Sequence, residues 1–251
     1  DESSGTTASD SSGNNNTGTL TNGPVWQSTG GKVGGALSFD GVDDYANVSS
    51  ASSLNFGTGS FTVSAWIKTS ALKEQVIAMK NSNGNVGGCC GWVFFMRSDG
   101  RLQARLRDGV SPPNHDGQIS TRAVNNNSWH HVVMLVDRNA QVVDSYIDGV
   151  RENINSNISS EGSISNNYTL KIAGSGGAIW NFAGLIDDVR IYNRALTASE
   201  VQSLATPAPT VSFSASPSSI TSGQSSTLTW SSTNATSCTA SGGWTGSKAT
   251  S

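Results

Sequence analysis

Charge is scarce in this chain. Only 13% of its 251 residues are Asp, Glu, Lys or Arg, and the formal net charge is −3 with a pI near 5.5. No block of Lys or Arg occurs, so the electrostatic footprint of a nucleic-acid or anionic-membrane binder is missing. Long apolar runs are also missing; nothing approaches the roughly eighteen consecutive apolar residues that span a bilayer. The five Glu are Glu2, Glu74, Glu152, Glu161 and Glu200, and only Glu152 and Glu161 stand within ten residues of one another. Glycoside hydrolysis ordinarily needs a pair of carboxylates flanking the scissile bond, so this scarcity argues against catalysis. His115, His130 and His131 are the available bases, and no Gly-x-Ser-x-Gly nucleophile motif accompanies them. His130 and His131 alternate across a strand and read as structural. The chain is expected not to be an enzyme.

Cysteine is limited to Cys89, Cys90 and Cys238. Two adjacent thiols cannot fill a zinc site, and no His lies at ligand spacing around them. The glycines flanking Cys89-Cys90 permit the tight turn that a vicinal disulfide needs. A vicinal disulfide and two free thiols both fit; an oxidising compartment favours the first.

What the chain has in abundance is Gly, with Ser, Thr and Asn in every connecting stretch and short runs of Val, Ile, Phe, Trp and Thr between them. That is the pattern of strands joined by turns. Strands are expected at 36–40, 45–48, 61–69, 75–80, 91–97, 102–107, 129–137, 142–147, 169–173 and 185–192. Asp99-Gly100 and Asp148-Gly149 are hairpin signals. One helix is expected at Ala198–Leu204, where Thr197 and Glu200 form a capping box. About ten strands with no helices between them predict an all-β fold, a two-sheet antiparallel jelly-roll sandwich. The polar stretch 1–19 reads as a linker and N-terminal segment, 20–206 as the main domain, and 207–251, after the Pro-rich break at Thr206-Pro207-Ala208-Pro209, as a separate fragment. The chain begins at Asp1 with no hydrophobic leader and looks like a processed or excised piece. Its Ser/Thr/Asn-rich, Lys/Glu-poor surface composition points to a secreted or extracellular protein.

Six strings converge in order and spacing. They are Asp10-Ser11-Ser12-Gly13-Asn14, Gly35-Ala36-Leu37-Ser38-Phe39-Asp40-Gly41, Phe61-Thr62-Val63-Ser64-Ala65-Trp66-Ile67, Ser128-Trp129-His130-His131-Val132, Tyr146-Ile147-Asp148-Gly149-Val150, and Gly184–Tyr192 running on to Arg194-Ala195-Leu196. Together they resemble the laminin-G-like, concanavalin A-like jelly-roll family over roughly residues 10–204. The resemblance implies a curved two-sheet sandwich but no particular ligand, because the fold hosts lectins, adhesion modules, carbohydrate-binding modules and glycanases. The tail, with Val211-Ser212-Phe213, Thr227-Leu228-Thr229-Trp230 and Cys238, resembles the opening half of a bacterial Ig-like repeat.

The family resemblance also implies a structural calcium ion (Ca2+) where the N-terminal segment meets the last strand. Asp40, the Gly41 carbonyl, Asp43 and Asp187 are the expected ligands, with Asn16 or Asp10 as contributors. The alternative is that Asp43-Asp44 forms a solvated turn.

A ligand face is expected on the hairpin that carries Arg97, Arg101, Arg105 and Arg107. A three-residue Ser98-Asp99-Gly100 loop pairs Arg97 with Arg101 and Phe95 with Gln103, and turns Trp92, Phe94 and Met96 inward. The result is a row of guanidinium groups suited to bidentate bonds with carboxylate or sulfate. His115 in the following loop and Trp180 in a Gly-rich loop extend the candidate site, with Trp180 able to stack on a sugar ring. Two plain alternatives stand beside this. The arginines pair with Asp99, Asp108 or Glu, and Trp180 packs over the sandwich end. The sequence therefore supports a carbohydrate-binding module that takes a polysaccharide, anionic or sulfated, as a monomer within a multidomain protein. The competing reading is an adhesion or spacer module with protein partners.

Overall fold

The computed structural model describes residues 2–49, 51–81, 90–110, 115–117, 119–152, 156–177, 179–206, 210–233, 237–240 and 246–248. Two compact units divide the chain, Asp1–Ala205 and Thr206–Ser251.

In chain order the first unit contains β1 (Thr7–Ala8), β2 (Gly18–Thr21), β3 (Val25–Gln27), β4 (Ala36–Asp40), β5 (Tyr45–Val48), β6 (Phe61–Lys68), β7 (Gln75–Lys80) and β8 (Gly91–Met96). It continues with β9 (Leu102–Arg107), β10 (His115–Asp116), β11 (His130–Asp137), β12 (Val142–Ile147), β13 (Val150–Arg151), β14 (Ser156–Asn157), β15 (Leu170–Ile172) and β16 (Ala183–Tyr192), and ends on helix α1 (Ala198–Leu204). One sheet runs β1-β2-β5-β15-β7-β8-β9-β10 and the other β13-β12-β11-β6-β16-β4-β3, with β14 alongside β12. All pairings are antiparallel. This is the expected jelly-roll sandwich.

Alternation explains the core. Phe61, Val63, Ala65 and Ile67 of β6 face Trp92, Phe94 and Met96 of β8 and Leu102, Ala104 and Leu106 of β9 within one buried cluster. Burying this many large apolar side chains, each worth about 1.5–3 kcal/mol, is the main force closing the two sheets. The other face of β11 and β12 is covered as well. There Val133, Leu135 and Tyr146 pack with Leu196, just before α1, and with Val201 of α1. Both halves of the α1 capping box form, with Thr197 and Glu200 exchanging bonds to each other's backbone N–H.

The stretch 1–19, read from sequence as a linker and N-terminal segment, carries an edge strand: Thr7 and Ala8 pair with Thr19 and Gly18, and the Trp26 indole Nε1 donates to the Gly5 carbonyl at 2.9 Å. A short polar strand at a sheet edge carries no apolar signature, so it reads as coil. β16 also carries a β-bulge between Asp187 and Arg190, where Asp188 takes a left-handed φ of 47°. The extra residue breaks strict alternation. It places Asp187 opposite Trp66, on the face away from the core, while Val189 and Ile191 pack against the core.

In the second unit β17 (Thr210–Ser216) pairs with β18 (Thr227–Thr233), setting Phe213 opposite Trp230, and β19 (Cys238–Ala240) pairs with β20 (Gly246–Lys248). Residues 207–209 of the expected Pro-rich break lie outside the described residues. No helix among the described residues is long and apolar enough to cross a membrane.

Candidate functional site

The β8–β9 hairpin has the expected register. Phe95 pairs with Gln103 and Met96 with Leu102, while Arg97 N donates to the Arg101 carbonyl at 2.8 Å across a loop whose Gly100 has φ 81°. The glycine is required there, since a Cβ would lie 2.0 Å from Asn125 Oδ1. Strand alternation then sends Val93, Phe95, Gln103, Arg105 and Arg107 to the face opposite the core. A bulge in β7 between Val76 and Ala78 adds Val76 and Met79, and the four apolar residues form a small cluster of their own.

Trp180 closes this cluster. Its ring stacks on Phe95 with centroids 5.2 Å apart and planes at 29°. The Arg105 guanidinium carbon lies 4.7 Å from the Phe95 centroid and 5.5 Å from that of Trp180. Stacking fixes the guanidinium plane, which preorganises its donors. The loop that carries Trp180 is tied down despite its glycines. Val76 N donates to the Trp180 carbonyl at 2.7 Å, Ser175 Oγ to the Ile179 carbonyl at 2.7 Å, and Asn181 Nδ2 to the carbonyls of Gly177 at 2.7 Å and Val42 at 2.5 Å. Trp180 is thus half-buried against the sheet face, with the rest of its indole open to solvent.

The remaining arginines divide. Arg101 donates Nε and Nη2 to Asp99 Oδ2 at 3.0 and 2.8 Å, and Arg97 donates Nη1 to Gln103 Oε1 at 3.1 Å while its Nε lies 3.9 Å from Asp99 Oδ1. Asp99 therefore offsets the like-charge opposition of Arg97 and Arg101. The Asp108 carboxylate accepts from Gly162 N and Val110 N at 2.9 Å, and these bonds, with the charge of Arg138 adding to them, hold it below the usual range. Arg107 is half-buried on the same strand. His115 lies in β10, opposite Leu106. Cys89 lies outside the described residues. Cys90 sits at a left-handed φ of 58° just before β8, with its carbonyl held by Asn166 Nδ2 at 3.1 Å.

The expected calcium ligands are not all brought together. Asp40, Asp43 and Asp44 place carboxylate oxygens within 4.8 Å of one another. Asp44 is buried at 4% exposure, and burial, then the charges of Asp40 and Asp43, push its carboxyl above the usual range despite the bond from Asp40 N. The Gly41 carbonyl is already engaged by the Lys73 ammonium. Asp187 is elsewhere; its Oδ2 accepts from Lys32 N and Val33 N, each at 2.7 Å, and pins the glycine-rich turn before β4. Asp10 and Asn16 line one groove with both Asp187 and Asp188, and a second, of about 590 Å³, with Asp188. Asp10 Oδ1 and Oδ2 accept from Ser12 N at 2.9 Å and Asn16 N at 2.8 Å, and Asp188 pairs with Arg190 at 2.8 Å. Asp44, the buried member of the trio, is the ligand-type residue that the sequence reading left out of the site. Three hard oxygen donors at one turn fit a divalent cation such as calcium.

Among the described residues, Glu152 and His130 are each engaged by neighbouring side chains. Glu152 accepts from Arg122 Nε at 2.7 Å and from Thr121 Oγ1 at 2.5 Å, and His130 sits between Asp148 Oδ2 at 2.8 Å and Asn126 Oδ1 at 3.0 Å.

Known structures share this architecture. The binding domain of Paraclostridial Mosquitocidal Protein 1 superposes with a TM-score of 0.63 at 23% identity, covering 79% of this chain and 49% of that one. Domain 4 of AbnA, a GH43 extracellular arabinanase from Geobacillus stearothermophilus solved with arabinotriose, superposes at 0.57 with 24% identity over 78% of this chain and 92% of that domain. The Botulinum neurotoxin serotype G binding domain gives 0.59 at 18% identity, over 78% of this chain and 47% of that one. The chain thus spans about half the length of the toxin binding domains. No curated protein matches. The family model for the concanavalin A-like lectin/glucanases superfamily matches residues 39–202, more than half of the chain, over the two-sheet sandwich described above. The chain belongs to that superfamily.

Proposed function

We propose that this chain is a non-catalytic carbohydrate-binding module of a secreted polysaccharide-degrading protein, and that it holds an anionic or sulfated polysaccharide on the Arg-bearing face of β8 and β9. The observation that carries this reading is the Arg105 guanidinium held against Phe95 and Trp180, with Arg97, Arg101 and Arg107 beside it. An aromatic surface next to fixed bidentate donors suits a sugar ring bearing an oxyanion. The fold relation to an arabinanase domain solved with arabinotriose supports sugar binding as the broader function.

Affinity electrophoresis against dextran sulfate, polygalacturonate and neutral dextran tests the reading. The wild-type chain is retarded by at least one anionic polymer, and Trp180→Ala loses about tenfold or more in affinity, in line with about 1–3 kcal/mol for a sugar-facing stack and its cation partner. No retardation in any gel removes the reading and leaves the adhesion or spacer alternative.

A calcium ion bound by Asp40, Asp43 and Asp44 belongs to the same proposal, as a structural brace of the turn between β4 and β5. At calcium a hundredfold above its Kd, chelation with EDTA should lower the melting temperature by about 5–10 °C, and Asp44→Asn should abolish that difference. A melt indifferent to both calcium and EDTA removes the ion from the account.

A further inference from the structure

We infer that Asp99 sets the affinity of the arginine face: it occupies Arg101 in the free protein as a built-in oxyanion, and a ligand carboxylate or sulfate binds by taking its place. This rests on the ligand face proposed above and adds the residue that tunes it. Asp99 Oδ2 receives both the Nε and Nη2 hydrogens of Arg101, at 3.0 and 2.8 Å. That is the guanidinium edge a ligand oxyanion would engage. The carboxylate is anchored independently of that pair, because Asp99 Oδ1 accepts from Arg101 N at 3.1 Å. Arg97 stands on the other side with its Nε buried, making no hydrogen bond among the described residues and lying 3.9 Å from Asp99 Oδ1. Its second donor, Nη1, goes to neutral Gln103.

The exchange needs only side chains to move. The turn is held by Gly100 N to the Arg97 carbonyl at 3.0 Å, by Arg97 N to the Arg101 carbonyl, and by a bridge from Arg101 to Ala123. The Asp99 and Arg101 side chains are 38% and 44% exposed, so the pair is open to an incoming group. An ion pair this exposed is weak enough to be displaced. While Asp99 stays, its charge also opposes any oxyanion approaching Arg97.

Asp99→Asn tests this. Asparagine keeps the Oδ1 bond to Arg101 N and removes only the charge, so the melting temperature should stay within about 3 °C of the parent. Binding to polygalacturonate and to dextran sulfate is compared by titration calorimetry at two salt concentrations, with neutral dextran as control. The variant should bind an anionic polymer about five- to twentyfold more tightly and with a steeper loss on adding salt. The two polymers separate a carboxylate from a sulfate preference. A structural role for Asp99 alone would leave affinity unchanged or weaken it. Equal or weaker binding by Asp99→Asn, with wild-type binding that Arg105→Ala abolishes, overturns this inference and leaves the face intact. If neither wild type nor Asp99→Asn binds either polymer, the face itself is refuted.

Discussion

Replacing Asn166 with alanine should lower folding stability by roughly 2–4 kcal/mol and the melting temperature by about 5–15 °C. The reason lies in a buried lysine. Lys80, the last residue of β7, is 1% exposed, and among the described residues its ammonium bonds to neutral oxygens: Asn55 Oδ1 at 2.9 Å, the Asn166 carbonyl at 2.8 Å and Asn166 Oδ1 at 2.9 Å. Burial lowers its pKa to about 8. The Asn166 amide does more than cap the lysine. Its Nδ2 reaches the carbonyls of Lys80, Cys90 and Ile164 at 3.2, 3.1 and 3.2 Å, and its Oδ1 accepts from Tyr168 N at 3.0 Å. Gly91 allows this crowding, because a Cβ there would lie 1.9 Å from the Lys80 carbonyl. Truncating Asn166 strips the buried Lys80 ammonium and these part-buried carbonyls of partners, and bonds to a buried charge are among the costliest to lose. Lys80→Ala in the same background should cost less than the sum of the single changes, because both act on one network. Thermal and urea unfolding of the four proteins gives the answer, and full additivity would show the network to be unimportant.

Acid should destabilise the fold through His131. This residue is 2% exposed, its ring centroid lies 5.3 Å from that of Trp66, and its buried Nδ1 has no hydrogen-bond partner among the described residues. Burial lowers its pKa to about 4 against an ordinary 6.5, with Asp148 opposing the shift and Arg190 adding to it. Between pH 6.5 and 4 the unfolded chain therefore binds a proton that the folded chain refuses. Stability falls as pH falls through that window, by roughly 2–3 kcal/mol from this group alone. Nearby Asp187 acts in the opposite sense, because burial raises its carboxyl and protonation on acidification relieves that cost. The difference between the wild type and His131→Phe isolates the histidine. Phenylalanine keeps the ring contact with Trp66 and cannot titrate, so its melting temperature should drop about 5–10 °C less than that of the wild type between pH 6.5 and 4.5. Parallel melting curves for the two proteins would assign the acid sensitivity elsewhere.

Much of the fold was legible because strand alternation and turn chemistry act locally. The register of β8 and β9 follows from one glycine at the left-handed position of a three-residue loop, and α1 follows from Thr197 and Glu200. The candidate face was legible for the same reason: once Arg97 pairs with Arg101, Phe95 and Arg105 must share the outer side. What stayed hidden depends on contacts distant in sequence. The Trp180 loop reads as loose from its glycines, yet Val76, Val42 and Asn181 tie it to the sandwich. The bulge at Asp188 has no local signal, and it sends Asp187 to Lys32 and Val33 and not to a shared ligand set with Asp40. Lys80 and Asn166 are 86 positions apart, and neither looks unusual alone.

Chemical-shift mapping with a sulfated or uronate oligosaccharide addresses the ligand face most directly. Backbone amides and tryptophan indoles of the labelled chain should shift along residues 95–107 and 174–181, including the Trp180 indole. Shifts confined to the groove between Asp10 and Asp188, shifts on the Trp66 and His131 face, or no shifts at all would contradict the account.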